Sequence, residues 1–123
     1  NNRSRGLGDV YKRQVIDSLD FFLQRDDPSR VVAMVRMLQA HAQMYRGLLL
    51  ISVSNDGLSP SIKQELSSIS DMVLTFGVRT IGSDFETSMI VSKFRNAPEN
   101  LKMLVFRVTP EEGITPETVE RIA

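Results

Sequence analysis

Apolar and polar positions change rhythm several times along the chain, and each change marks an element. Val31, Val32, Val35, Leu38, Ala42 and Tyr45 recur at helical spacing. Asp27-Pro28 stands ahead of them, an acceptor suited to capping followed by the residue best tolerated at a first helical position. Gly47 closes that helix. Leu48 to Val53 is then short and nearly all apolar, with no polar face. Such a run predicts a strand covered on both sides, as in a parallel sheet between helices. Ser59-Pro60 repeats the helix-start device, with Ile62, Leu66 and Ile69 on one face.

Val15-Ile16 reads as the end of a buried strand, and Met72 to Phe76 as another. Phe85 to Arg95 and Leu101 to Val108 follow as strands, joined through Asn96 to Asn100, where Pro98 and Asn100 are turn-formers. Thr115-Pro116 predicts a short terminal helix. The predicted order is β-α-β-α-β-β-β-α. This is an α/β fold whose parallel, helix-flanked beginning gives way to antiparallel strands. Internal repeats and low-complexity segments are absent from the sequence.

Composition narrows the function classes. The 123 residues fit one domain or part of one, and 41% hydrophobic residues support a modest core. The lack of cysteine excludes disulfides and thiolate metal sites and suits a reducing cytoplasm. Leu48 to Ile51, the longest apolar run, is far too short to span a bilayer. Fifteen basic residues balance 15 acidic ones, so bulk charge gives no indication of nucleic acid. The balance is uneven along the chain. Residues 1–14 hold four cations and one anion, leaving 11 basic and 14 acidic residues in the remainder. That segment, NNRSRGLGDVYKRQ, has no helical or alternating apolar pattern, and its GLGDVYKRQ resembles translated sequencing-adaptor sequence. It is expected to be a non-native or disordered segment, with residues 15–123 forming the domain.

Candidate chemistry sits at predicted strand ends. Asp17-Ser18 follows the first strand, where ligands of open α/β sheets collect. An aspartate there suits a magnesium ion beside a nucleotide phosphate, and equally suits a turn or cap. Ser54-Asn55 follows the second strand, where small polar groups can meet a phosphate or orient a water, or simply form the turn Ser-Asn-Asp-Gly. On strict alternation Phe85, Thr87, Met89, Val91, Lys93 and Arg95 share one face, apolar and then doubly cationic. Two adjacent cations make a phosphate clamp or a solvated strand end. His41 has no second histidine or cysteine to form a metal site with it, the six methionines suit core filling, Asp26-Asp27 reads as a cap pair, and Glu111-Glu112 as a solvated turn.

Taken in order, these pieces resemble the KaiC-like branch of the RecA superfamily over Val15 to about Ile114. Val15-Ile16-Asp17-Ser18-Leu19 resembles the Walker B strand with its Asp-Ser-Leu. Leu49 to Asn55 resembles the next core strand. Ser92-Lys93-Phe94-Arg95-Asn96 resembles the Lys-x-Arg segment that reaches a neighbouring subunit's nucleotide. Phe106-Arg107-Val108-Thr109, leading to Gly113-Ile114, resembles the closing strand. The resemblance implies a partial RecA-like, P-loop NTPase core. Asp17 would assist magnesium and water in cis, with Ser18, Ser54 and Asn55 near the nucleotide. Lys93 and Arg95 would act in trans on the ATP of the adjoining subunit.

It also implies ATP and Mg2+ as cofactors, a homo-oligomeric ring and a regulatory protein partner for a parent protein. Two departures limit this chain: it contains no G-x-x-x-x-G-K-[ST] loop, and the glutamate usual upstream of Walker B is missing. The chain is therefore expected to be the C-terminal portion of such a domain and inactive toward ATP alone. Two other readings compete. In a phosphoacceptor receiver domain Asp17 would be the acceptor, Ser54 the switch hydroxyl and Lys93 the phosphate-binding lysine. That reading needs an N-terminal acidic pair, where only Asp9 stands, and alternating strands and helices to the end. The other is a RecA-like interaction scaffold without catalysis.

Overall fold

A computed structural model describes residues 13–96 and 103–117. The chain divides into two compact units, Asn1–Ser70 and Asp71–Ala123. The predicted join at 96–100 and the start of the strand at Leu101 lie largely outside the described residues, as does most of the N-terminal segment.

The first unit contains β1 (Arg13–Ile16), a single turn of helix α1 (Asp20–Leu23), α2 (Pro28–Met44), β2 (Leu48–Ile51) and α3 (Pro60–Ile69). Strand β1 takes in Arg13 and Gln14, the last two residues of the segment set apart by composition. It pairs in parallel with β2, from Arg13 opposite Leu48 to Ile16 opposite Ile51. Both long helices start as their sequences dictate. Asp27 accepts from the Ser29 amide at 3.1 Å, Ser59 accepts from the Ile62 amide at 3.3 Å, and a proline follows each cap. Helix α2 ends differently from expectation. The residue with positive φ is Arg46 (53°), and Gly47 follows it, its amide reaching back to the Ala42 carbonyl at 2.7 Å.

Leu19, Val31, Val32, Val35 and Ile69 form the core of this unit, with Ile16, Ile51, Val53, Ile62 and Leu66 packed against it. One face of the β1–β2 pair thus rests on the helices. The other does not, because Val15, Leu48 and Leu50 are 69%, 54% and 53% exposed. The expectation that β2 is covered on both faces is met on one.

The second unit is an antiparallel sheet in the order β3-β4-β5-β6: β3 (Met72–Ile81), β4 (Asp84–Phe94), β5 (Met103–Thr109) and β6 (Gly113–Glu117). The terminal helix predicted at Thr115-Pro116 is instead strand β6. It lies at the sheet edge, where a proline without an N–H is tolerated. One face carries Met72, Leu74, Phe76, Val78, Phe85, Phe94, Leu104, Val108 and Ile114, all substantially exposed. The opposite face mixes apolar side chains, among them the buried Val105, with ion pairs. Arg79 binds the buried Glu86 through Nε at 2.8 Å and Nη2 at 2.7 Å, and Arg107 pairs with Glu117 at 2.6 Å. The parallel pair with its helices, followed by consecutive antiparallel strands, is the expected α/β architecture. Those consecutive strands depart from the alternating strands and helices that a receiver domain requires.

Candidate functional site

Register brings the site together. Ile16 and Ile51 are partners at the ends of β1 and β2, so the chain leaves both strands side by side. The next residues meet: Ser52 donates its hydroxyl to Asp17 Oδ1 at 2.6 Å, and its amide binds the Ile16 carbonyl at 3.0 Å. Leu19 returns the tie, its amide reaching the Ser52 carbonyl at 2.9 Å while its side chain is wholly enclosed in the core. Anchoring Leu19 holds Ser18 and Asp20 at the rim. The Asp17–Ser18 peptide bond is cis.

Asp20 forms the second set of contacts. Its carboxylate accepts the Ser18 hydroxyl, the Ser54 amide at 3.1 Å and the Ser54 hydroxyl at 3.1 Å. Chiefly the Ser18 hydroxyl, with help from Ser54, holds the Asp20 carboxyl below its ordinary value, while desolvation works the other way. Of the residues expected from sequence, Asp17, Ser18 and Ser54 lie together at these strand ends. Asn55 is exposed in the turn beyond. Sequence reasoning missed Asp20 and Ser52. Ser52 was open to discovery, since residues two apart in extended chain share a side, and Ser52 and Ser54 do so.

The donor set fits a hard cation held sparingly. Asp17 is exposed and offers carboxylate oxygen beside serine hydroxyls. Among the described residues no group of three or more His, Cys, Asp or Glu is gathered for a metal. That is unlike a dedicated protein cage and is compatible with Mg2+, which uses one or two carboxylates and takes its remaining ligands from water and phosphate.

Lys93 and Arg95 belong to the second unit. A bulge in β4 overturns the strict alternation expected there. Leu74 lies opposite Val91 but Val73 lies opposite Lys93, which makes Ser92 the extra residue. Adjacent residues of β3 face opposite ways, so Lys93 is on the face opposite Val91, and Phe94, opposite Met72, continues the apolar face. Arg95 stands past the strand end, its guanidinium paired with Asp71 at 2.8 Å and its amide bound to the Asp71 carbonyl at 2.9 Å. A shallow cleft elsewhere in this unit is lined by Arg107, Thr109, Glu111, Glu112, Thr115 and Glu117. Its carboxylates outnumber its one cation, and that cation is already paired with Glu117, so it is unsuited to a phosphate.

Asp27 caps α2 while its amide binds Asp26 at 2.8 Å, as a cap pair does. The His41 ring packs on Tyr45 at 4.6 Å. Among the described residues no helix is long and apolar enough to cross a membrane.

No protein-family model matches the sequence, and no curated protein matches it. Solved structures do. The chain is similar to a KaiC-like protein, PH0186, from the hyperthermophilic archaeon Pyrococcus horikoshii OT3, with 18% identity and a TM-score of 0.63. The match covers 87% of this chain and 47% of that one. It is also similar to the flagellar accessory protein FlaH from Methanocaldococcus jannaschii, with 23% identity and a TM-score of 0.50, over 67% of this chain and 38% of that one. The chain spans about half the length of the first neighbour and less of the second. At these identities the likeness establishes the fold: this chain has the RecA-like α/β fold of the KaiC-like and FlaH structures over most of its length.

Proposed function

We propose that this chain is the C-terminal part of a KaiC-like RecA-superfamily ATPase domain whose parent binds and hydrolyses ATP at subunit boundaries of a homo-oligomeric, regulatory ring. The observation that carries the reading is the pair of carboxylate–hydroxyl contacts, Asp17 with Ser52 and Asp20 with Ser18 and Ser54, at the carboxyl ends of two parallel strands in this fold. Ligands of open α/β sheets bind at such ends. In this reading Asp17 holds Mg2+ or a water on it, Ser54 and Asn55 stand near the γ-phosphate, and Ser18 lines the same rim. Mg2+ supplies charge neutralisation to the transferring phosphoryl group when bound. Lys93 and Arg95 serve the adjoining subunit's nucleotide. The phosphate cradle itself is not in this sequence, so the chain alone does not bind or hydrolyse ATP.

The bare apolar faces support the partial-domain reading. Sheets that leave Val15, Leu48 and Leu50 exposed in one unit, and Phe76, Val78 and Phe85 exposed in the other, are each built to be covered. The test is a longer protein carrying this chain behind its own upstream sequence. A G-x-x-x-x-G-K-[ST] loop upstream and ATP turnover are expected, with Lys93→Ala abolishing turnover while nucleotide binding survives. An upstream sequence without the loop, or normal turnover by Lys93→Ala, refutes the reading.

A further inference from the structure

Asp20 is a residue for which the expected chemistry has no role, yet it has the densest polar contacts at the rim. Its carboxylate gathers the Ser18 hydroxyl from the loop after β1, and both the amide and the hydroxyl of Ser54 from the loop after β2. Asp20 and Ser54 are 34 residues apart in sequence. No backbone bond between the two loops reaches Ser54: β2 ends at Ile51, and beyond it the backbone ties are the Ser52 amide on the Ile16 carbonyl and the Leu19 amide on the Ser52 carbonyl. Past Ser52, Val53 packs on the core, and the hydrogen bonds that tie Ser54 to the loop after β1 are those of Asp20. A carboxylate accepting three donors is well matched to the task, because charge-assisted bonds are shorter and stronger than neutral ones.

We propose that Asp20 is the positioning residue of this site, a carboxylate clamp that sets Ser54 against the Asp17–Ser18 turn. Its bearing on nucleotide chemistry rests on the function proposed above; the clamp itself does not. Asp20 acts through Ser54: it presents the serine at a fixed place at the strand ends, where a phosphate or an attacking water is met. A side chain that merely favours a helix start acts on α1 alone and leaves Ser54 untouched. A clamp acts across the two loops.

The experiment is amide hydrogen exchange and chemical shift, read residue by residue by NMR on the full 123-residue chain without nucleotide. In Asp20→Asn the charge is lost and the shape kept. The Ser54 amide is expected to shift and to exchange on the order of 10-fold faster. The Ser52 amide, held by the Ile16 carbonyl, keeps its protection and reports that the fold is intact. Should Asp20→Asn unfold the unit, Ser54→Ala reports from the other side: removing its hydroxyl shifts the Asp20 carboxyl carbon. An unchanged Ser54 amide in a folded Asp20→Asn chain, or an unmoved Asp20 carboxyl in Ser54→Ala, overturns the clamp. In the longer protein Asp20→Asn is expected to lower kcat for ATP by roughly 10- to 100-fold with a much smaller change in KM, the signature of mispositioning. A clamp seen by NMR with no such fall in kcat refutes its role in positioning, whereas a longer protein that never turns over ATP refutes the nucleotide reading and leaves the clamp standing.

Discussion

Leu19→Ala probes how the core supports the rim. Leu19 stands between Ser18 and Asp20 and is 0% exposed. The substitution removes three carbons, about 2.4 kcal/mol at about 0.8 kcal/mol each. The space left does not close readily. Its neighbours Val31, Val32 and Val35 are β-branched residues on one helix, held to a single preferred rotamer. A residual cavity brings the cost to about 3–4 kcal/mol, within the usual Leu→Ala range of about 2–5 kcal/mol. A core in a unit of this size supplies on the order of 3–5 kcal/mol in total. The variant is therefore expected to lose most of the stability of the first unit. Urea unfolding followed by far-ultraviolet circular dichroism gives the loss, with Val32→Ala, which removes two carbons and costs about 2 kcal/mol, as the comparison. A Leu19→Ala loss smaller than that of Val32→Ala refutes the claim that Leu19 is the anchor.

Other consequences are open to direct measurement. Arg79→Ala leaves the buried Glu86 without its partner and is expected to cost about 1–3 kcal/mol by thermal unfolding, while Arg79→Leu with Glu86→Leu comes close to neutral. Asp27→Ala removes the α2 cap and is expected to cost about 1 kcal/mol in the same assay. The Asp20 carboxyl lies below its ordinary value of 3.8, so its contribution to stability is complete above that value and is lost as pH falls through the lower folded one. An acid titration of the Ser54 amide signal centred above 3.8 contradicts this.

Much of the fold was legible because helix starts carry local chemistry. Asp27-Pro28 and Ser59-Pro60 name both caps without reference to the rest of the chain. The misreadings arise where the deciding fact is not local. Thr115-Pro116 resembles a helix start, and only the edge position of β6 makes that proline acceptable in a strand. The bulge at Ser92 leaves no mark in a run without turn residues, yet it moves Lys93 to the other face. The apolar run Leu48 to Ile51 states that burial is required but not which face this chain supplies cover for. At the site, Asp17 and Ser54 were visible as polar residues at strand ends. Asp20 was hidden because its partner Ser54 lies 34 residues away and nothing local to Asp20 marks that contact.

In the proposed function a divalent cation beside a nucleotide is held where β1 and β2 end. Paramagnetic broadening by Mn2+ with ATP, read on amide signals of the longer protein carrying this chain, tests it most directly. Broadening centred on Asp17, Ser52 and Ser54 and abolished by Asp17→Asn is the predicted result. Broadening centred elsewhere, or unchanged by Asp17→Asn, contradicts the account.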